Sequence, residues 1–191
     1  MKKTVYPAIH IFKNVSIPFV IIVFLFSSCS KSGSDDGAYH VNCNIDGVAS
    51  TFNAGDFAHI DAEPGTGNRA LTINGLTGIN VTAGSIGFVI TNLPGGDSIA
   101  AGTYLDTSTR FEVLASYDIN VADQDDFEAG TSTYQEAIRA GNTIGNHFTV
   151  NITSRTSTTV KGSFSGDFYH NGDAKGTKRS ITSGDFYVKI Q

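Results

Sequence analysis

The 191-residue chain has no tryptophan, one methionine, two cysteines and four prolines. So few cysteines exclude a disulfide-dense mini-protein and a cysteine-rich zinc scaffold. Basic side chains are also scarce: 13 against 18 acidic ones, a formal net charge of −5. A nucleic-acid binder carries a basic face, so no nucleic-acid partner is expected. No apolar stretch reaches the roughly 20 residues that a membrane-spanning helix needs. With 40% apolar residues the chain is neither polytopic nor disordered, and its length suits one domain. What it has in quantity is glycine, 21 residues, the first at Gly33.

Lys2, Lys3 and Lys13 precede the uncharged run Ile17–Phe26. A basic start, a short apolar run and small residues behind it make a secretory signal. Phe26-Ser27-Ser28-Cys29 resembles a bacterial lipobox, in which the cysteine is lipidated and becomes the mature N-terminus. Phe26 departs from the leucine preferred at the first position, although Leu25 lies one place earlier. The plainer alternative is an ordinary signal peptide with a chance cysteine. Ser30 to Gly37 is small and polar, a flexible tether. Ser30 stands where an aspartate tends to retain lipoproteins at the inner membrane, so the outer membrane is expected. Asp35 and Asp36 loosely resemble an acidic surface-export signal. The expected organisation is therefore a lipoprotein signal peptide (1–28), a tether (29–37) and one β domain (38–191), with the membrane reached through lipid on Cys29. Loss of the leader removes three lysines and no acid, taking the net charge from −5 to −8.

Beyond the tether, short alternating segments recur between turn residues, the pattern of an all-β protein. Strands are expected at 39–45, 48–54, 57–62, 70–76, around 86–90, 99–105, 111–119, 148–153, 160–168 and 181–190. Asp46-Gly47 is a two-residue hairpin signal. Asn74-Gly75 either continues its strand or turns it. Pro64 and Pro94 fall in loops, as continuous strands require. One short helix is expected near Thr133–Ala140, with Thr133 and Glu136 at capping-box spacing and Gly141 ending it. The expected fold is an antiparallel β-sandwich, or alternatively a closed β-barrel, of about eight to ten strands. Cys43 shares a face with Val41 and Ile45 and reads as a buried core thiol. Ser165-Gly166-Asp167-Phe168-Tyr169 is echoed by Ser183-Gly184-Asp185-Phe186-Tyr187. The echo predicts two neighbouring strands, each with Gly and Phe inward and Asp and Tyr outward.

Little in the chain points to catalysis. His40, His59, His147 and His170 show no zinc-ligand spacing. There is no nucleophile elbow and no phosphate-binding loop. The acidic run Asp123-Gln124-Asp125-Asp126-Phe127-Glu128 reads either as a calcium site using Asp123, Asp125, Asp126 and Glu128, or as a solvated acidic loop. Without an Asp-Gly turn at EF-hand spacing the second is favoured, and no cofactor is expected. A glycan would need exposed aromatic platforms; Tyr117, Tyr134, Tyr169 and Tyr187 are available, with Tyr169 and Tyr187 on neighbouring strands beside Asp167 and Asp185. The alternative is that they cover an outer sheet face as cross-strand pairs.

The order of motifs resembles a family of uncharacterised Bacteroidota outer-membrane lipoproteins. The residues that carry it are Ile45-Asp46-Gly47 with Phe52 and Ala54; Ile73 and Gly75; Gly102-Thr103-Tyr104; Gly145 with Val150 and Ile152-Thr153; Val160, Gly162 and Phe164; and Ile181-Thr182, Gly184, Phe186 and Val188. The resemblance implies a small all-β lipoprotein and assigns no catalytic residue. The expectation is a non-enzymatic binding or structural accessory module, with a glycan or another envelope protein as partner. The alternatives are a carbohydrate-active hydrolase and a calcium-dependent binding module.

Overall fold

The computed structural model describes residues 39–62, 69–78, 83–93, 98–120 and 126–191. The leader, the tether with Cys29, the loop 63–68, and Asp123 and Asp125 lie outside the described residues. Contacts divide the chain into Met1–Asp36 and Gly37–Gln191, and every described residue belongs to the second unit.

The strands are β1 (His40–Ile45), β2 (Val48–Thr51), β3 (Ala54–Ala62), β4 (Arg69–Leu76), β5 (Ser85–Asn92), β6 (Gly102–Leu105), β7 (Phe111–Asp118), β8 (Asp126–Gly130), β9 (Thr149–Arg155), β10 (Thr159–His170) and β11 (Lys178–Ile190), most of them built on alternating apolar and polar side chains. The helix α1 (Thr131–Arg139) follows β8 directly. In β5 the burial alternates without a break, with Ile86, Phe88 and Ile90 inward. Such a period-2 face can be covered only by a second layer.

Hydrogen bonds run through all eleven strands in the order β2-β1-β11-β3-β4-β5-β7-β8-β10-β9-β6, and β11 also pairs with β10. That extra pairing folds the sheet into two layers, β2-β1-β11-β10-β9-β6 over β3-β4-β5-β7-β8. The fold is thus all-β and sandwich-like. Two short bridges tie the layers at opposite corners. One is antiparallel, with Tyr169 opposite Glu128 and His170 opposite Phe127. The other is parallel, with Lys189 opposite Phe57 and Ile190 opposite Ala58, the one departure from antiparallel pairing among the described strands. Every described strand finds its partners within Gly37–Gln191, so this unit closes its own core.

The expected strands are present, with three differences. Eleven strands replace eight to ten, because Asp126–Gly130 is a strand within the acidic run expected to be a loop. Asn74-Gly75 continues β4, since Gly75 pairs with Ile86 of β5. The helix begins at Thr131, and no side chain caps its N-terminus. Thr133 and Glu136 lie inside it, so they form no capping box; Glu136 pairs instead with Arg139 at 3.3 Å. Packing sets the start. Gly130, at φ 111, lies so close to the Val113 carbonyl that no Cβ would fit, and Thr131 Oγ1 accepts the Val113 N–H at 3.0 Å. Gly141 (φ 72) ends the helix as its position predicts.

The core centres on β10 and β11, where glycine and phenylalanine alternate in reciprocal register. Val160 pairs with Val188, Gly162 with Phe186 and Phe164 with Gly184. A Cβ on Gly162 would meet the Phe186 ring at 2.6 Å, and one on Gly184 would meet the Phe164 ring at 2.8 Å. Each ring therefore lies over the bare backbone of the other strand. Phe88 of the opposite layer closes on both, with ring centroids 5.3 Å from Phe164 and 5.4 Å from Phe186, and it also meets Phe148 at 6.1 Å. Cys43 is buried as expected, and burial, with the nearby Asp185 charge, pushes its thiol up to about 12.

Gly184→Ala is expected to lower unfolding stability by about 1–3 kcal/mol, the usual cost of overpacking a filled core, whereas Gly141→Ala meets open space and strains only its backbone. Urea denaturation of both variants checks this; a Gly184→Ala protein as stable as the wild type contradicts the packing described.

Candidate functional site

The stretch that follows α1 does not leave the surface. Residues 145–148 pass against β10 on the way into β9, and there the expected exposure of the first Ser-Gly-Asp-Phe-Tyr segment fails. Asp167 is 1% exposed and Tyr169 4% exposed. Gly166 makes the crossing possible. At φ 152 it sits at a shift in the β10–β11 register, and a Cβ there would meet Phe148 Cα at 2.7 Å. Only a glycine lets the 147–148 backbone settle on the strand.

Two buried carboxylates then fasten the crossing segment. Asp106, just beyond β6, is 1% exposed. Its Oδ2 accepts the Phe148 N–H at 2.9 Å, and its Oδ1 lies 2.9 Å from His147 Nδ1. Asp167 Oδ1 accepts from Asn146 Nδ2 at 3.1 Å, and Oδ2 accepts from Lys178 Nζ at 2.7 Å. The Asp167 N–H donates to the Asn146 carbonyl at 3.0 Å. Lys178 stands opposite Tyr169, and Asp167 opposite Ser180, so the ion pair is a diagonal cross-strand contact. The Tyr169 hydroxyl bonds the Gly145 backbone.

The two carboxylates titrate in opposite directions. At Asp106 burial dominates and pushes the carboxyl up, against the Phe148 N–H and His147. At Asp167 burial is again the largest single influence, but hydrogen bonds from Lys178, Asn146 and Ser180 together outweigh it and hold the carboxyl below its usual range. Lys178 is correspondingly held up by that hydrogen bond.

Beside this latch lies a polar groove of about 380 Å³, lined by Asn146, His147, Thr149, Ser165, Ser180 and Thr182 among others. Asp106 fixes Nδ1 of His147, and the ring packs on Tyr134 at 5.4 Å. In the neutral imidazole a proton on Nδ1 leaves Nε2 as an acceptor. A carboxylate orienting a half-exposed histidine is also how general bases are held. Here, among the described residues, no hydroxyl bonds Nε2, and no group of three or more His, Cys, Asp or Glu side chains could hold a metal ion. What the groove offers is hydrogen-bonding capacity. Histidine spacing carries no sign of His147, because its partner Asp106 is 41 residues away.

The other sequence candidates are dispersed. Tyr187 is half-buried and packs on Tyr39 at 5.3 Å, while Asp185 pairs with His40 at 2.7 Å. Tyr187 stands opposite Lys161, eight positions along β10 from Tyr169, or roughly 27 Å at strand spacing. Tyr169 and Tyr187 therefore form no common platform. Tyr117 contacts Phe52 at 6.3 Å and Phe127 at 6.2 Å, as part of the packing. Asp126 and Glu128 are half-buried on one face of β8, and Asp126 stands opposite Asp118 of β7.

No family model, no curated protein and no solved structure matches the chain. Among the described residues, no helix is long and apolar enough to cross a membrane.

The Asp167 latch carries a pH signature. Its carboxyl ionises more readily in the folded protein than in the unfolded chain, so its contribution is present at neutral pH and lost as pH falls through the folded value. Asp167→Asn keeps the fold but loses about 1–3 kcal/mol at pH 7, because Lys178, half-exposed, regains water. Between about pH 5 and pH 2 its stability falls less steeply than that of the wild type. Urea midpoints measured across that range check both statements.

Proposed function

We propose that the chain is an exported cell-envelope lipoprotein of the Bacteroidota outer-membrane kind, held by lipid on Cys29, whose β domain acts as a non-enzymatic binding or structural accessory module. The observation that carries this is the order of its first residues. A basic start, the apolar run Ile17–Phe26, Ser27-Ser28 and Cys29 are followed by a small polar tether. Thioether attachment requires a cysteine at that point, and a soluble exported protein gains nothing from one. The motif order along the β domain adds to the reading. So does the groove beside His147, whose lining is rich in hydroxyl and amide groups suited to holding a polar partner. In such a protein the outer membrane is the site of attachment, and Asp35-Asp36 directs the domain to the cell surface.

Cys29→Ser tests the anchor. Cells fed labelled palmitate should label the wild-type protein and not the variant. The wild type should sediment with outer membranes, and the variant should be lost from them. A wild-type protein that carries no label and is released by washing overturns the proposal. Protease shaving of intact cells reads the orientation separately, with cleavage of the domain before lysis expected.

A further inference from the structure

Two arginines on opposite layers open onto one groove at the end of the sandwich where β4 begins and β9 ends. Arg69 is the first residue of β4 and is exposed; its backbone N–H donates to the buried Asn92 side chain. Arg155 is the last residue of β9, half-buried and opposite Val160. The groove between them has a volume of about 370 Å³, and its floor is Ile60, Leu71, Ile99 and Ala100. Leu71 is fully buried and Ile99 is 2% exposed. The floor is fixed in place: the Tyr104 hydroxyl donates to the Ala100 carbonyl at 2.7 Å and accepts the Ala100 N–H at 2.8 Å. Burial pushes the Tyr104 phenol up, and the positive charge of Arg155 acts on it in the opposite sense.

The charges are what make this groove unusual. Arg139 pairs with Glu136 and Arg179 with Asp46. Among the described residues neither Arg69 nor Arg155 has a carboxylate partner, although acidic residues outnumber basic ones in the chain. Guanidinium groups offer planar pairs of donors that match a carboxylate, and the surface between these two is mixed, with Ile60, Ala100 and Ala101 beside Ser98 and Thr156. The volume lies at the lower end of the range for small-molecule sites.

We propose that this groove binds a small amphiphilic carboxylate, its head held by Arg69 and Arg155 and its alkyl chain laid on Ile60, Ala100 and Ala101. Such a ligand is a fatty-acid-like anion, a chemistry abundant at membranes. The site does not depend on the lipid-anchor reading, because it lies wholly within Gly37–Gln191, the unit that closes its own core.

The test uses that unit, with the fluorescence of 1-anilinonaphthalene-8-sulfonate as reporter and decanoate and decan-1-ol as competitors. Decanoate should displace the dye saturably, and decan-1-ol should be at least about tenfold less effective. Arg155→Gln and Arg69→Gln should each weaken decanoate by about tenfold, the scale of one charge-assisted hydrogen bond. Arg139→Gln should leave it unchanged. Arg69 is exposed at a strand end, so its variant keeps the fold and reads the site even if Arg155→Gln does not. Equal potency of decanoate and decanol, no displacement of the dye, or wild-type decanoate affinity in Arg69→Gln would each overturn the proposal.

Discussion

The structure depends on two aromatic rings, each packed against a glycine of the neighbouring strand. On β10 and β11 the reciprocal pairs Gly162–Phe186 and Phe164–Gly184 let each ring pack against its neighbour's bare backbone. Phe88 then reaches both rings from the opposite layer. Aromatic contacts of this kind add about 0.5–1.5 kcal/mol each beyond the area they bury. They also fix register, since a slip of one residue would turn both rings outward and both glycines under the wrong neighbours. The other layer approaches as closely where Gly75 leaves room for the Phe52 backbone and for Val41. At these positions glycine is a packing device.

The same strand pair shows how one sequence phrase can serve two ends. In Ser183–Tyr187 the glycine receives a ring, and Asp185 and Tyr187 face outward to His40 and Tyr39. In Ser165–Tyr169 the glycine receives a backbone, and the aspartate and tyrosine fasten the segment that crosses above them. Covering Asp167 is tolerable because each of its oxygens has a donor. The crossing segment in turn brings His147 onto Asp106 and forms one wall of the polar groove.

Most of the fold was legible because alternation is a local signal. Ile86, Phe88 and Ile90, or Val150 and Ile152, announce a strand with one buried face, and Asp46-Gly47 announces the hairpin between β1 and β2. The failures share one cause, which is tertiary cover. Asp167 and Tyr169 occupy outward positions in the pleat, and no local pattern tells that another segment lies over them. β8 hides in an acidic run, since strand identity there comes from pairing with β7 and β10. The start of α1 follows from Gly130 against Val113, a contact between residues far apart in sequence. The sites were less legible than the fold for the same reason. His147 with Asp106, and Arg69 with Arg155, are joined only by the closing of the sandwich. By contrast, Cys29 is a linear signal and needs no fold to be read.

Phe88 couples the two layers, so the decisive measurement is a double-mutant cycle of Phe88→Leu and Phe186→Leu, read by urea unfolding. A coupling energy of about 0.5–1.5 kcal/mol between the two positions is predicted. Additivity within about 0.3 kcal/mol would contradict it, and would mean that the layers are held by general burial and not by this ring-on-ring contact.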